Sequence, residues 1–385
     1  MKSDLTYWVT LTQLKNWGSE KINKLLVKII HNYKMQLEEF FSLSKNDILK
    51  KFELETKDFE DLELSKKELP NYSFMIENLI SQGYEIITMD SSKYSKTLKE
   101  NLKIKHSPPV LYVKGNTQLL QENSVAIVGS REASEEAIDF TDNIAKISSR
   151  LFKVIVSGFA KGVDKQALDS AIKYNGQSII VLPQGILTFG SGFKKYYKEI
   201  NQGDVLVLST FYPSVPWSVQ FAMARNPIIY GLAKEIYVAQ SSDKGGTWYG
   251  VIDGLKKGRE IFVYDIESKD NANSLLIEKG ATPVDFNGKR KKIDDKCANK
   301  PEIQEVSQAG VVIENKTDSI EEQIISTLSN NKLTSTELIS RLNLDWKTQK
   351  MTGYLKKIPN IIIDSSAKPH RYTLSQQSDN NDKLF

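Results

Sequence analysis

Six short apolar runs constrain this chain more than any other feature: VAIV (125–128), VIV (154–156), SIIVL (178–182), VLVL (205–208), EIYVA (235–239) and EIFVY (260–264). They recur roughly every 25 to 30 residues, and amphipathic helical stretches separate most of them. Runs that are continuously apolar, rather than alternating, belong to strands buried on both faces. Strand and helix taken in turn predict an α/β fold, an extended Rossmann-like, doubly wound parallel sheet with right-handed crossovers. Ligands of such sheets bind outside the carboxyl ends of the strands, so a site is expected in the residues that follow each run.

The flanks read differently. Residues 1–82 predict an N-terminal helical domain, because Leu11, Leu14, Ile22, Leu25, Leu26, Ile29 and Ile30 recur at helical spacing. Trp17-Gly18-Ser19 interrupts them with a turn and an N-cap. The stretch LKNWGSEKINKLL resembles a helix-hairpin-helix but lacks its second glycine, so a small packing domain is the plainer reading. After the sheet domain (83–286), residues 287–316 are polar and charged and predict a linker, with KRKK a solvated part of it. Residues 317–375 then give three helical segments and two short strands, a winged-helix pattern with Thr334 and Asp345 as N-caps. The tail, 376–385, is expected to be disordered.

Composition narrows the chemistry. Three histidines (His31, His106, His370) and one cysteine (Cys297) leave little material for a zinc site or a histidine-based triad, so no metal is expected. A single cysteine also excludes an internal disulfide framework and fits a reducing cytoplasm. No apolar run is long enough to span a bilayer, and the N-terminus reads as mature protein rather than a secretory signal. A net charge of +4 predicts no polyanion partner by itself.

The strand ends carry the signal. Gly129-Ser130-Arg131 follows the first run, with Ser134 at the start of the next helix. Ser157-Gly158 and Lys161 follow the second, leading to Asp164, for which capping a helix or holding Lys161 is the plain alternative. Lys244-Gly245-Gly246-Thr247 follows the fifth, and Arg225-Asn226 lies in the connection before it. Glycines admit an anion to the backbone, helix N-termini attract it, and arginine forks onto phosphate. One such loop could be tight geometry alone; three on one sheet edge, each with a cation, predict a basic pocket for phosphates. The absence of GxGxxG, and Ser157 where a ribose-binding acid would stand, argue against nicotinamide or flavin; no cofactor is expected.

PPVLYVKGN (108–116), SVAIVGSREAS (124–134), VIVSGFAKGVD (154–164), ARNPII (224–229) and GGT with its following helix stand in the order seen in the DNA-processing protein A (DprA/Smf) family, which this chain resembles. The resemblance implies a non-catalytic, dimeric protein that binds single-stranded DNA and loads a RecA-type recombinase in natural transformation. It places the phosphate contacts on Gly129, Ser130, Arg131, Ser134, Ser157, Gly158, Lys161, Arg225, Asn226, Lys244, Gly245, Gly246 and Thr247. Three positions depart from the family pattern: Leu168 stands for a histidine, Pro227 for an arginine, and Tyr264-Asp265 for Pro-Gly.

Other readings stay open. The same superfamily includes sensors of nucleotide-derived ligands and phosphoribohydrolases, but the hydrolases need a glutamate three residues after the threonine, where Gly250 stands here. Phe159 and Trp248 could stack bases or pack in the core. Lys347, Lys350, Lys356 and Lys357 on the third C-terminal helix could meet duplex DNA, while winged helices also dock proteins and lysines commonly just solvate a helix.

Overall fold

A computed structural model describes residues 2–266, 272–291, 320–328, 332–342, 348–355, 358, 361–364 and 370–374. The chain forms two compact units, Met1–Ala298 and Asn299–Phe385.

The first unit opens with six α-helices, α1 (Lys2–Thr12), α2 (Ser19–Leu26), α3 (Leu37–Ser42), α4 (Lys45–Phe52), α5 (Thr56–Lys66) and α6 (Leu69–Ser81), with a π-helical turn (Val27–Asn32) continuing α2. Ile22, Leu25 and Leu26 fall on one buried face of α2, as their spacing requires. The N-cap of α2 is Gly18, which offers no side-chain bond, and Ser19 is the first helical residue rather than the cap. Lys21 is committed to Asp58 and lies over the Trp17 ring.

A nine-stranded sheet follows: β1 (Glu85–Thr88), β2 (Val110–Gly115), β3 (Ser124–Val128), β4 (Val154–Ser157), β5 (Ser178–Val181), β6 (Val205–Ser209), β7 (Glu235–Val238), β8 (Ile261–Tyr264) and β9 (Thr282–Val284). Their spatial order is β1-β2-β6-β5-β4-β3-β7-β8-β9. Strands β3 to β9 run parallel, whereas β2 pairs antiparallel with β6 (Tyr112 opposite Ser209) and β1 antiparallel with β2. The chain winds outward from β3 to β6, then returns to the other side of β3 with β7. The switch point therefore lies between β3 and β7, where a crevice opens at the strand ends.

The intervening helices are α7 (Lys96–His106), α8 (Glu135–Arg150), α9 (Val163–Lys173), α10 (Gly190–Lys195), α11 (Tyr197–Gln202), α12 (Val219–Leu232), α13 (Gly245–Lys256) and α14 (Asn273–Glu278). Every β3 residue is buried, and its side chains divide between two layers. Val125 and Ile127 join Phe140 and Ile144 of α8 and Ala167 of α9. Ala126 and Val128 join the larger core, which runs continuously from Trp8 of α1 to Ala281. The helical N-terminal segment and the sheet thus share one hydrophobic cluster.

Two of the three family departures fill the interior. Leu168 is fully buried, and the Tyr264 ring stacks on Phe140 at 4.2 Å while its hydroxyl donates to Glu136. Pro227 sits inside α12. The start of the expected linker also belongs to this unit. Val284 bridges Arg290, Arg290 pairs with Glu260, and Lys291 pairs with Asp265 at 2.8 Å, so these two cations of KRKK are neutralised within the fold.

The second unit comprises α15 (Ile320–Leu328), β10 (Leu333–Thr334), α16 (Ser335–Arg341), α17 (Thr348–Leu355), β11 (Ile361–Asp364) and β12 (Arg371–Leu374). Its sheet, ordered β10-β12-β11, has one strand more than the expected pair. Ile324, Leu328, Leu338, Met351 and Tyr372 form its core. Thr334 caps α16 in a reciprocal box with Glu337. Asp345, Lys347, Lys356, Lys357, the Lys350 side chain and the tail lie outside the described residues.

Candidate nucleic-acid interface

Two adjoining pockets occupy the carboxyl edge of the sheet. The larger, about 380 Å³, lies at the β3–β7 switch point and is lined by the loops after both strands and by one face of α12. The smaller, about 220 Å³, lies at the ends of β4 and β5. They share Arg131, Ala160, Ala222 and Arg225, and so make one groove across four strand ends. Its lining carries Arg131, Lys161, Arg225 and Lys244 against a single acid, Asp164.

The cations divide by burial. Arg131, Lys161 and Lys244 are exposed and make no ion pair with any described residue. Arg225 is only 4% exposed, and its Nη1 donates to the Val181 carbonyl at 2.7 Å. Asp164 is equally inaccessible, hydrogen-bonded by the backbone of Ala160 and Gly158 and attracted by Arg225 rather than held by Lys161. Burial pushes its carboxyl above the usual range, with Arg225 opposing the shift; burial lowers the guanidinium, with Asp164 opposing. The guanidinium stays protonated, and this buried pair forms the floor beneath the three exposed cations.

Glycine is required where these groups crowd the backbone. A Cβ on Gly158 would stand 1.7 Å from Arg225 Nη1 and 2.5 Å from Asp164 Oδ2. Gly162 has φ +81°, and a Cβ there would meet the Ser130 carbonyl at 2.4 Å, so the β4 loop can nest against the β3 loop only without a side chain.

Most of the remaining expected residues tie loops together. The Ser130 N–H donates to Gln240 O, and its hydroxyl donates to Glu132 O. Ser134 caps α8, its Oγ accepting from the Ala137 N–H. Thr247 Oγ1 donates to Gly129 O at 3.0 Å and Asn226 Nδ2 to Gly246 O at 3.2 Å, fastening α13 to β3 and α12. Gly245 and Gly246 open α13, whose first-turn N–H groups have no intrahelical acceptor and face an anion readily. Ser157 is apart from the groove: it is fully buried, and its hydroxyl donates to Ile127 O, locking β4 to β3. No ion pair joins Asp243 to Lys244.

Sequence reasoning passed over three residues. Gln240, two positions beyond β7, accepts from the Ser130 N–H through its carbonyl and from the Ser134 N–H through Oε1, joining the β3 and β7 loops. Trp217, 49% exposed, lines the smaller pocket beside Lys161. Its only signal is a bulky aromatic in the polar, proline-bounded stretch PSVPWS. Tyr230 lines the larger pocket from α12. Phe159 and Trp248 are half-buried and pack against the core, Phe159 edge-on to Phe189 and Tyr196 while also lining the smaller pocket.

The fold and groove define a Rossmann-like α/β protein with a cation-lined groove at its strand ends. The chain belongs to the DNA recombination-mediator protein A family, whose sequence model matches residues 85–294. It is 32% identical over 183 residues to the DNA processing protein DprA of Streptococcus pneumoniae, a match covering 46% of this chain and 64% of that one. It is 31% identical over 215 residues to DprA of Bacillus subtilis, covering 53% and 69%. The X-ray structure of the Streptococcus pneumoniae protein superposes with a TM-score of 0.57 at 24% identity, over 72% of this chain and 94% of that chain, and so shares its fold.

Proposed function

We propose that this chain binds single-stranded DNA in the strand-end groove and delivers it to a RecA-type recombinase, as a homodimer in the cytoplasm and without a catalytic step. The observation that carries the reading is the continuity of the groove: three exposed cations stand along it over a buried guanidinium, with one compensated acid. A row of separated cations suits successive phosphates better than one compact anion. Trp217 at one end supplies a face on which an unpaired base can stack. A duplex hides its bases' faces, so this feature favours a single strand. Family membership supports the recombination role.

The absence of catalysis is inferred from the lining, which holds no histidine and whose sole carboxylate is buried beside Arg225. No helix among the described residues is long and apolar enough to cross a membrane, and none of their side chains cluster as metal ligands. The proposed division of labour follows the expected domains, with the groove in 83–286, the helical 1–82 as a packing lobe, and the winged-helix segment 317–375 making a separate duplex or protein contact.

The test is retardation of a single-stranded oligonucleotide at low salt by the wild type and by Arg131→Ala/Lys244→Ala. Loss of the shift in the double variant supports the reading. Tight, salt-insensitive binding of a mononucleotide with no oligonucleotide shift overturns it.

A further inference from the structure

The groove has two unlike sides. Its exposed cations come from the strand-end loops: Arg131 after β3, Lys161 after β4 and Lys244 just before α13. The other side is the start of α12. Trp217, Val219 and Met223 stand there at 49%, 63% and 40% exposure, so their side chains reach solvent. Trp217 lines the smaller pocket, Val219 and Met223 line the larger, and Ala222 lines both and joins the two surfaces. Asp164 and Arg225 belong to the buried floor and not to this wall.

Sequence and position set this wall apart. No charged residue stands between Asp204 and Arg225, in a chain where 26% of residues are charged. A helix N-terminus ordinarily favours Asp or Glu, yet the first turn of α12 carries neither. An acid there would repel phosphates. Side chains as apolar as valine and methionine are ordinarily drawn out of water, and these two, four residues apart, are neighbours on one helical face. The wall also comes close to the phosphate side: a Cβ on Gly246, in the first turn of α13, would lie 3.6 Å from Met223 Sδ. A methionine sulfur makes favourable contacts with flat aromatic rings. An apolar strip a few ångströms from a helix N-terminus suits a nucleotide, whose base and phosphate are joined by a single sugar.

We propose that the bound strand lies with its phosphates on the loop cations and its bases against α12, where Val219 and Met223 extend the surface begun by Trp217 into the larger pocket. The inference rests on the single-strand reading above and deepens it by assigning the bases a wall of their own. Contact with that wall is apolar, so it senses the presence of an unpaired base and not its identity.

The test uses the full chain with oligo(dT) and an equally long abasic oligomer, which keeps the phosphates and lacks the bases. Wild type binds oligo(dT) at least about tenfold more tightly. Trp217→Ala retains part of that preference. Val219→Thr/Met223→Gln lowers it about threefold by weakening oligo(dT) alone, while the abasic affinity, the salt dependence and the unfolding midpoint stay unchanged. Equal affinities in wild type overturn the wall, as does a preference that the double variant keeps in full or that Trp217→Ala abolishes. Equal losses for both oligomers in the double variant also overturn it, since they mark damage to the phosphate side. Failure of wild type to bind either oligomer overturns the single-strand reading itself.

Discussion

Gly158→Ala gives a direct test of how the groove floor is built. The added methyl would overlap Arg225 Nη1 at 1.7 Å and Cζ at 2.4 Å, and would press on Asp164 Oδ2 at 2.5 Å. None of these atoms is the free end of an exposed side chain, because Arg225 is buried and anchored to Val181 O at 2.7 Å. Relieving the overlap moves the guanidinium by more than an ångström and breaks that bond. A hydrogen bond from a charged donor is worth about 1.5–3 kcal/mol, and overpacking adds about 1–3 kcal/mol. The expected loss is therefore about 2.5–6 kcal/mol, a large share of the roughly 5–15 kcal/mol that holds a typical domain folded. Urea unfolding at constant m-value measures it. Gly190→Ala is the control, because nothing lies within 4 Å of a Cβ at that position. A Gly158→Ala loss below about 1 kcal/mol would refute the packed-floor account, since the guanidinium would then have room that the structure denies it.

Trp217→Ala should weaken single-strand binding by about 1–3 kcal/mol without changing its salt dependence, measured by anisotropy; unchanged affinity would remove the stacking role. Asp142 tests pH linkage. Burial raises its carboxyl, but hydrogen bonds from Tyr174, Ser170 and Lys173 outweigh burial and hold it below the usual range. Its contribution is fully present above the ordinary value of 3.8 and is lost as pH falls through the depressed folded value. Tyr174→Phe should shift the Asp142 titration, followed by carboxyl NMR, back toward 3.8; a wild-type titration at or above 3.8 would contradict this. Thr334→Ala removes the cap of α16 and should lower the stability of the C-terminal unit by about 1 kcal/mol, read by amide exchange over 335–341.

The parallel core was legible in the sequence because strands buried on both faces must be apolar throughout. The edge was not read as part of the sheet. EIIT and VLYVKG become β1 and β2 by antiparallel pairing outside the strand–helix rhythm, and β9 is only three residues long. The three cation-bearing loops were legible from glycine, hydroxyl and charge at strand ends, and the topology brings them to one edge. What each residue does there depends on long-range packing. Arg225 and Arg131 look alike in sequence, yet one is roofed over by Gly158 and the other stands in solvent. Ser157 follows an apolar run as Ser130 does, but the adjacent strand takes its hydroxyl. Gln240 and Trp217 carry no charge and lack a phosphate-binding pattern, so their parts emerge only once the loops are folded against one another.

The central claim, a groove that holds successive phosphates of a single strand, is tested most directly by the salt dependence of binding. Each phosphate contact to single-stranded DNA contributes about 0.7 to the slope of log K against log salt concentration. Wild type should show a steep negative slope, and Arg131→Ala/Lys244→Ala should bind more weakly with a slope shallower by about 1.4. An identical slope in the double variant, or wild-type binding indifferent to salt, would contradict it.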